Sequence, residues 1–554
     1  MNPVQEDLID KNPTQEQTSG SNKKKIWICV LVCLLFVAIL TTVLVIVFLN
    51  RPIKIEIVTV KIPENIKGVN AHFLPDGNIA YHYYLDNESD VYFATSDEDG
   101  NGFTNIWHGQ WKELYHSNGI RIVPLHDNKR ILIGDYILEC EPKIYNATSA
   151  NLIPIHYPDE FVNSSLTVSI WSEPYVSPDL KYIAWTMLDQ RWGAVNFIGK
   201  LVREDAQYNI VDYKIISSLG FGTHDEKTGN LILPKVRGGE IKQFIKGGLG
   251  LSLAGAGDYG LARSIYQDLT SDTIENITNL DNYDETTIFS PDEKLGLTMT
   301  TRFSPNSNLE ILGVFHAPHS VIVTSSLNRF TYSYAVTKVR TTRKGNIGPA
   351  LIEIEKSMKD KDYKGFNLHT DDNYAFLSPL SWHPSNLKGL WNEKCKIENK
   401  TEYSRVQKVI IKNYKPGKTV ETQSTPENIP YAIDSADYFK YTNGTLEGVL
   451  IGEKSGNITL MRNQMKSYAY YDHYSQDGKT FYNGTMQYTM TADRGARFQV
   501  NLKATGDVKG TADFRLVFTP DYNLKWDIDT DGKPMTYGYS EFDGKKIGVE
   551  LYKE

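Results

Sequence analysis

Val176-Ser177-Pro178-Asp179 running into Ile183-Ala184-Trp185, and Phe289-Ser290-Pro291-Asp292 running into Leu295-Gly296-Leu297, are the two clearest copies of one phrase. An apolar run meets a tight turn, and a second apolar run follows. Proline presets φ, aspartate starts the turn, and the flanking runs pair as strands. The phrase returns at Phe73-Leu74-Pro75-Asp76, Val123-Pro124-Leu125-His126-Asp127 and Trp382-His383-Pro384-Ser385, and in degenerate form at Phe244-Ile245-Lys246-Gly247-Gly248. With the turns placed at Leu74, Leu125, Ser177, Phe244, Ser290 and His383, the intervals are 51, 52, 67, 46 and 93 residues. A four-stranded propeller blade takes about 40–50 residues. The rhythm therefore predicts an all-β chain whose main body is a six-bladed β-propeller over residues 50–433. We read the helix-like Pro349–Lys356 as part of an insertion rather than a seventh blade. The strand Ile53–Val60 is placed to close the ring. From Asp434 to Glu554 alternating strands such as Gly484–Met490, Phe498–Leu502 and Phe514–Phe518 predict a small antiparallel β-domain.

Ahead of the propeller stands Ile26–Leu49, 24 residues without a charge. At about 1.5 Å per residue this crosses a hydrocarbon core of about 30 Å, and it is too long for a cleaved signal peptide. Lys23, Lys24 and Lys25 precede it, which puts residues 1–25 on the cytoplasmic side and predicts a single-pass type II membrane protein. Eight Asn-x-Ser/Thr sequons, at Asn87, Asn146, Asn163, Asn276, Asn399, Asn443, Asn457 and Asn483, all follow the span. They predict an extracellular or lumenal glycoprotein. Cys29 and Cys33 fall within the span, so Cys140 and Cys395 are the one exterior pair able to form a disulfide.

The chain has 59 Lys and Arg against 67 Asp and Glu, a net charge of −8, and no long basic stretch. Nucleic acid is excluded as a partner on that ground. Residues just before the repeat turn are the usual channel-liners of a propeller. Counting four back gives Asn70, Arg121, Glu173, Glu240, Thr286 and Pro379, and counting five back adds Glu285. Converging carboxylates split their pKa values and supply an acid and a base or nucleophile for glycoside hydrolysis. Glu173, Glu240 and Glu285 are thus the candidate catalytic residues. Arg121 and Arg302 are candidates for holding an anionic substrate group.

Other chemistry is less well served. Gly250-Leu251-Ser252-Leu253-Ala254 lacks the last glycine of a nucleophile elbow. Asp97-x-Asp99-x-Asn101-Gly102 and Asp527-x-Asp529-x-Asp531-Gly532 lack the closing glutamate of a calcium loop. Neither a metal nor a cofactor is expected.

The turn phrase resembles the repeats of TolB-like propellers. The succession Arg130–Cys140, Glu173–Trp185, Phe197–Leu201 and Asp284–Arg302, with the late β-region, resembles the fungal saponin hydrolase family. That resemblance implies a glycosidase cleaving a sugar, glucuronides included, from a triterpenoid-type glycoside. The alternative is a non-catalytic propeller binding a glycan or protein at the cell surface. In either case the partners are a glycosylated molecule and, through one helix, the membrane. If the topology is as read, protease added to sealed vesicles digests only the tail before Ile26. Digestion of the C-terminal region would reverse it.

Overall fold

The computed structural model describes residues 52–553 apart from 86–88, 113, 116–120, 160–166, 190–192, 219–221, 256–259, 398–403, 435–444 and 464, together with nine exposed helical residues between 27 and 37. The rest of the expected span, the tail, Cys29 and Cys33 lie outside these. Among the described residues no helix is long and apolar enough to cross a membrane. The chain divides into two compact units, residues 1–55 with 411–415, and the remainder, which carries the cavity discussed below.

Each turn phrase joins the first two strands of an antiparallel four-stranded group. The first strands are Ile66–Phe73, Ile122–Pro124, Thr167–Val176, Glu240–Ile245, Asp284–Phe289 and Tyr374–Trp382, and we number the groups sheets 1 to 6 in that order. Sheets 2 and 3 are joined by parallel pairing of Ser149–His156 with Tyr208–Ile215, Ile155 opposite Tyr208. Lys54–Val60 is the outermost strand of sheet 6, beside Ser404–Lys412, and the Thr59 hydroxyl meets the Gln407 side chain at 3.0 Å.

Second strands such as Tyr182–Asp189 are buried almost throughout, because a sheet covered on both faces takes a continuous apolar run. Polar side chains lace neighbouring sheets. Asn70 accepts from Ile122 N at 3.2 Å, Thr186 from Ile241 N at 3.1 Å and Gln243 from Phe289 N at 2.7 Å. Asn386 accepts from Asp292 N at 2.8 Å, and Asn392 of sheet 6 from Ala71 N of sheet 1 at 2.9 Å. Each bond satisfies a buried backbone donor that no ladder reaches. The circuit of sheets closes, as a β-propeller does.

The helical insertion lies earlier than the sequence suggested. Its turns are Ile311–Val314, Val321–Thr324, Asn328–Tyr332 and Ser333–Thr337, whereas Ala350–Glu353 is the third strand of sheet 5 and Ile354–Lys359 a short helix. Ala350–Glu353 is an apolar run too short to separate helix from strand by its pattern. The C-terminal sheet has eight antiparallel strands from Leu446 to Gly548. Ala469, Met486, Val500 and Phe514 line its buried face, and Gln487, Asn501 and Asp513 stand outward. The buried face packs on the insertion, where Tyr471 Oη donates to the Pro318 carbonyl at 2.7 Å and Tyr552 Oη accepts from Ile311 N at 3.0 Å.

Cys140 and Cys395 are both buried free thiols, so the expected disulfide is not formed. Cys140 sits on the third strand of sheet 2 among Ile131, Leu138 and Ile144, and Cys395 on the second strand of sheet 6 opposite Tyr374. Each fills its own sheet's packing. Being the one pair outside the expected span did not make them a disulfide.

His82, buried between Tyr84, Phe93 and Trp111, has no hydrogen-bond partner on either ring nitrogen. Burial lowers its pKa from 6.5 to about 3. Between those values the unfolded chain binds a proton that the folded chain refuses. Stability therefore falls as pH drops through this window, by about 1.4 kcal/mol per pH unit from this one group. We expect His82→Phe to remove that component from urea unfolding curves measured between pH 6.5 and 4.

Candidate functional site

Five of the six first strands share a defect, the short Ile122–Pro124 being the exception. The pairing with the second strand slips between Lys67 and Asn70, Trp171 and Tyr175, Ile241 and Gln243, Asp284 and Thr286, and Leu377 and Leu380. A bulge leaves a residue unpaired and re-aims its side chain. The residues so released include Glu173, Lys242, Glu285 and Ser378-Pro379.

The turns fix the register. In every sheet the N–H three residues on bonds back to the turn's first carbonyl: Gly77 to Leu74, Asn128 to Leu125, Leu180 to Ser177, Leu249 to Lys246, Glu293 to Ser290 and Asn386 to His383. The degenerate turn therefore starts at Lys246, two residues later than Phe244. Four residues back stand Asn70, Arg121, Glu173, Lys242, Thr286 and Pro379. All but Asn70 line a central cavity of about 370 Å³. Glu240 does not line it, and Lys242 holds the position assigned to Glu240.

The floor of the cavity is ionic. Arg121 pairs with Glu173, whose other oxygen accepts from the Ser172 hydroxyl at 2.6 Å. The Lys242 ammonium is 2.6 Å from Glu240 and 3.8 Å from Glu285, and its side chain is 2 % exposed. Tyr283 Oη donates to Glu285 at 3.2 Å. Burial alone would raise the Glu173 carboxyl, but Arg121, Lys242 and Ser172 outweigh it and hold the pKa at about 2. Glu285 moves the other way, since burial, with Glu240 adding, outweighs Lys242 and Arg340. Burial disfavours the Lys242 ammonium, yet Glu240, Glu285 and Glu173 raise its pKa. The walls towards the mouth are apolar, with Phe73, Val176, Phe244, Phe289, Leu380 and Trp382.

Arg302 does not belong to this site. Its side chain is 1 % exposed, paired with Asp284 at 3.0 Å and bonded to Thr300 and the Lys364 carbonyl. Each of its three guanidinium nitrogens donates to a group of sheet 5 or its connecting loop. Sequence reasoning missed Lys242, although Glu240-Ile241-Lys242 alternates, and it missed Tyr283 and Arg340.

Of the sequons, Asn146 and Asn483 are exposed and Asn276 and Asn457 half-buried, while Asn87, Asn163, Asn399 and Asn443 lie outside the described residues. Asp97 accepts from the backbone of Asp99 and Asn101, the bonding of a self-closed turn. Among the described residues no group of three or more His, Cys, Asp or Glu is placed to hold a metal ion.

No protein-family model matches the chain, and no curated protein does; the saponin hydrolase resemblance gains nothing from these comparisons. Among solved structures, an Agrobacterium tumefaciens protein described as putative TolB is 10 % identical, with a TM-score of 0.29, over 53 % of this chain and 74 % of its own. A protein of unknown function from Dyadobacter fermentans is 13 % identical, with a TM-score of 0.36, over 65 % of this chain and 99 % of its own. An oligogalacturonate lyase from Vibrio parahaemolyticus is 8 % identical, with a TM-score of 0.33, over 65 % and 97 %.

Removing Lys242 leaves buried carboxylates without their cation, which costs about 3–5 kcal/mol when one partner of a buried pair is lost. Lys242→Met should lower stability to urea by that order. Adding Glu240→Gln should recover part of it.

Proposed function

We propose that the chain is a six-bladed propeller, anchored by Ile26–Leu49 with its sheets outside the cytoplasm, that binds and hydrolyses a glycoside in the central cavity. One observation carries the reading: a cavity with an apolar wall has a floor where an ionised carboxylate, Glu173, stands with Lys242, and just behind that floor Glu285, a carboxyl of raised proton affinity, faces the same lysine at 3.8 Å. An apolar aglycone gains about 25 cal/mol for each Å² it buries on the wall. The sugar then meets the floor, where Arg121 and Lys242 suit the carboxylate of a uronide.

Glycoside cleavage needs one carboxylic acid to protonate the leaving oxygen and one carboxylate to face the developing oxocarbenium ion. Glu285, whose proton affinity burial raises, serves as the acid from just behind the lining. Glu173 stays ionised and stabilises the cation, or attacks it. Separating two carboxyls by environment is the usual way to assign these roles.

The second reading is a binding propeller without turnover. It is favoured by the engagement of both Glu173 oxygens and by the absence of Glu285 from the cavity lining. The test is a panel of triterpenoid and aryl glucuronides offered to the full-length protein in detergent. Glu285→Gln should cut turnover by about 10²–10⁴-fold with binding retained. Glu173→Gln should weaken binding as well, because it strands Arg121. Binding without turnover by the unaltered protein would establish the second reading, and absence of binding would end both.

A further inference from the structure

The chain leaves sheet 6 and runs as a strap, residues 416–425, across the turns of sheets 5, 4 and 3. Gly417 N donates to Asp292 Oδ2 at 2.7 Å and Val420 N to the Pro291 carbonyl at 2.8 Å. Gln423 N donates to the Gly247 carbonyl at 2.9 Å and Thr425 N to Asp179 Oδ2 at 3.0 Å. The turn aspartates do two things. Their Oδ1 atoms close their own turns, accepting from Ser177 and Ser290 at 2.6 Å each, and Oδ2 docks the strap.

Sheet 4 has Gly247-Gly248 in place of Pro-Asp because the strap passes there. A Cβ on Gly247, whose φ is +68°, would run into the Glu421 carbonyl oxygen, and one on Gly248 would stand 3.0 Å from Thr425 Oγ1. The turns of sheets 6, 1 and 2 have no such acceptor to offer. Asp76 Oδ2 is taken by Asn128 at 2.8 Å, Asp127 Oδ2 by Arg130 at 2.6 Å, and sheet 6 has Ser385 at that position.

Thr419, Val420 and Thr422 of the strap line the cavity. The mouth is thus walled on one half by the strap and bounded on the other by turn residues, Leu74, Pro75, Leu125, His126 and Pro384. Below, among the described residues, the lining ends at Arg121, Glu173, Lys242, Thr286 and Pro379, with no residue of the helical insertion or the C-terminal sheet beyond them.

We infer that the cavity takes only the end of a ligand, terminal sugar first, and that the strap steers the remainder out over the turns of sheets 6, 1 and 2. The inference rests on the proposed glycoside reading and adds direction to it. The site acts on terminal sugars and cannot thread a chain.

A triterpenoid monoglucuronide is coupled to a resin either through its aglycone or through a sugar hydroxyl, and the full-length protein is offered to both. Binding of the soluble compound is followed in parallel by calorimetry. Capture by the aglycone-linked resin alone is the expected result, and capture by the sugar-linked resin overturns the inference. Soluble binding with no capture by either resin overturns it too, leaving the glycoside reading standing. No soluble binding removes both. His126→Trp, on the open half, should weaken soluble binding about tenfold or more. Glu421→Trp, on the strap but outside the lining, should leave it unchanged, and the reverse pattern would also overturn the inference.

Discussion

Charges can be dehydrated at the centre of a β-protein only if they neutralise one another. Arg121, Glu173, Glu240, Lys242 and Glu285 come from three strands and the entry to a fourth, and they meet that condition through a chain of shared partners. Arg121 holds Glu173, and Lys242 holds Glu240 and faces Glu285. The bulges are what permit it. A regular strand would send alternate residues into the sheet–sheet packing, where a lysine has no partner. In sheet 4 a single unpaired residue, Lys242, turns its charge into the channel while its neighbours Ile241 and Phe244 stay in the core.

This constraint explains the division of labour in the cavity. Near the mouth the first strands are regular, and Phe73, Val176, Phe244, Phe289, Leu380 and Trp382 give the wall its apolar character, with Glu293 of the sheet 5 turn held by the Lys246 N–H at the rim. At the bulges of sheets 3, 4 and 5 the released side chains include Glu173, Lys242 and Glu285. The cavity therefore joins an apolar wall to an ionic floor. The insertion then acts from behind, since Arg340 and Tyr332 bear electrostatically on Glu285 without lining the cavity.

The repeat was legible because a tight turn needs particular residues at particular places, and Pro, Asp and Gly are few enough to stand out. The C-terminal sheet was legible because one face is solvated, so Phe498, Val500 and Leu502 alternate with polar residues. The closing strand was legible from its place alone. Arg121, Glu173 and Thr286 followed from counting. Lys242 did not, because Lys246-Gly247-Gly248 carries neither Pro nor Asp, and the count was anchored two residues early on Phe244. Arg302 misled because a buried arginine paired with Asp284 leaves the same trace in sequence as one awaiting a ligand. Cys140 and Cys395 misled because pairing by elimination carries no distance.

The irregular copy of the repeat is also the informative one. Local rules are broken where some other requirement overrides them, and here the requirement is close approach. Proline at position 247 or aspartate at position 248 would restore the phrase, yet the first would run into the strap backbone at Glu421 and the second would crowd the strap's Thr425 side chain. The two glycines cost backbone entropy in the unfolded chain, and what offsets that cost lies outside the sheet they belong to. Asp179 and Asp292 flank the gap and supply the acceptors that the glycines cannot. Three successive turns therefore form one docking track, whose middle member had to lose its side chains. A repeat read only for its similarity hides this; read for its departures, it indicates where a second segment of the chain lies.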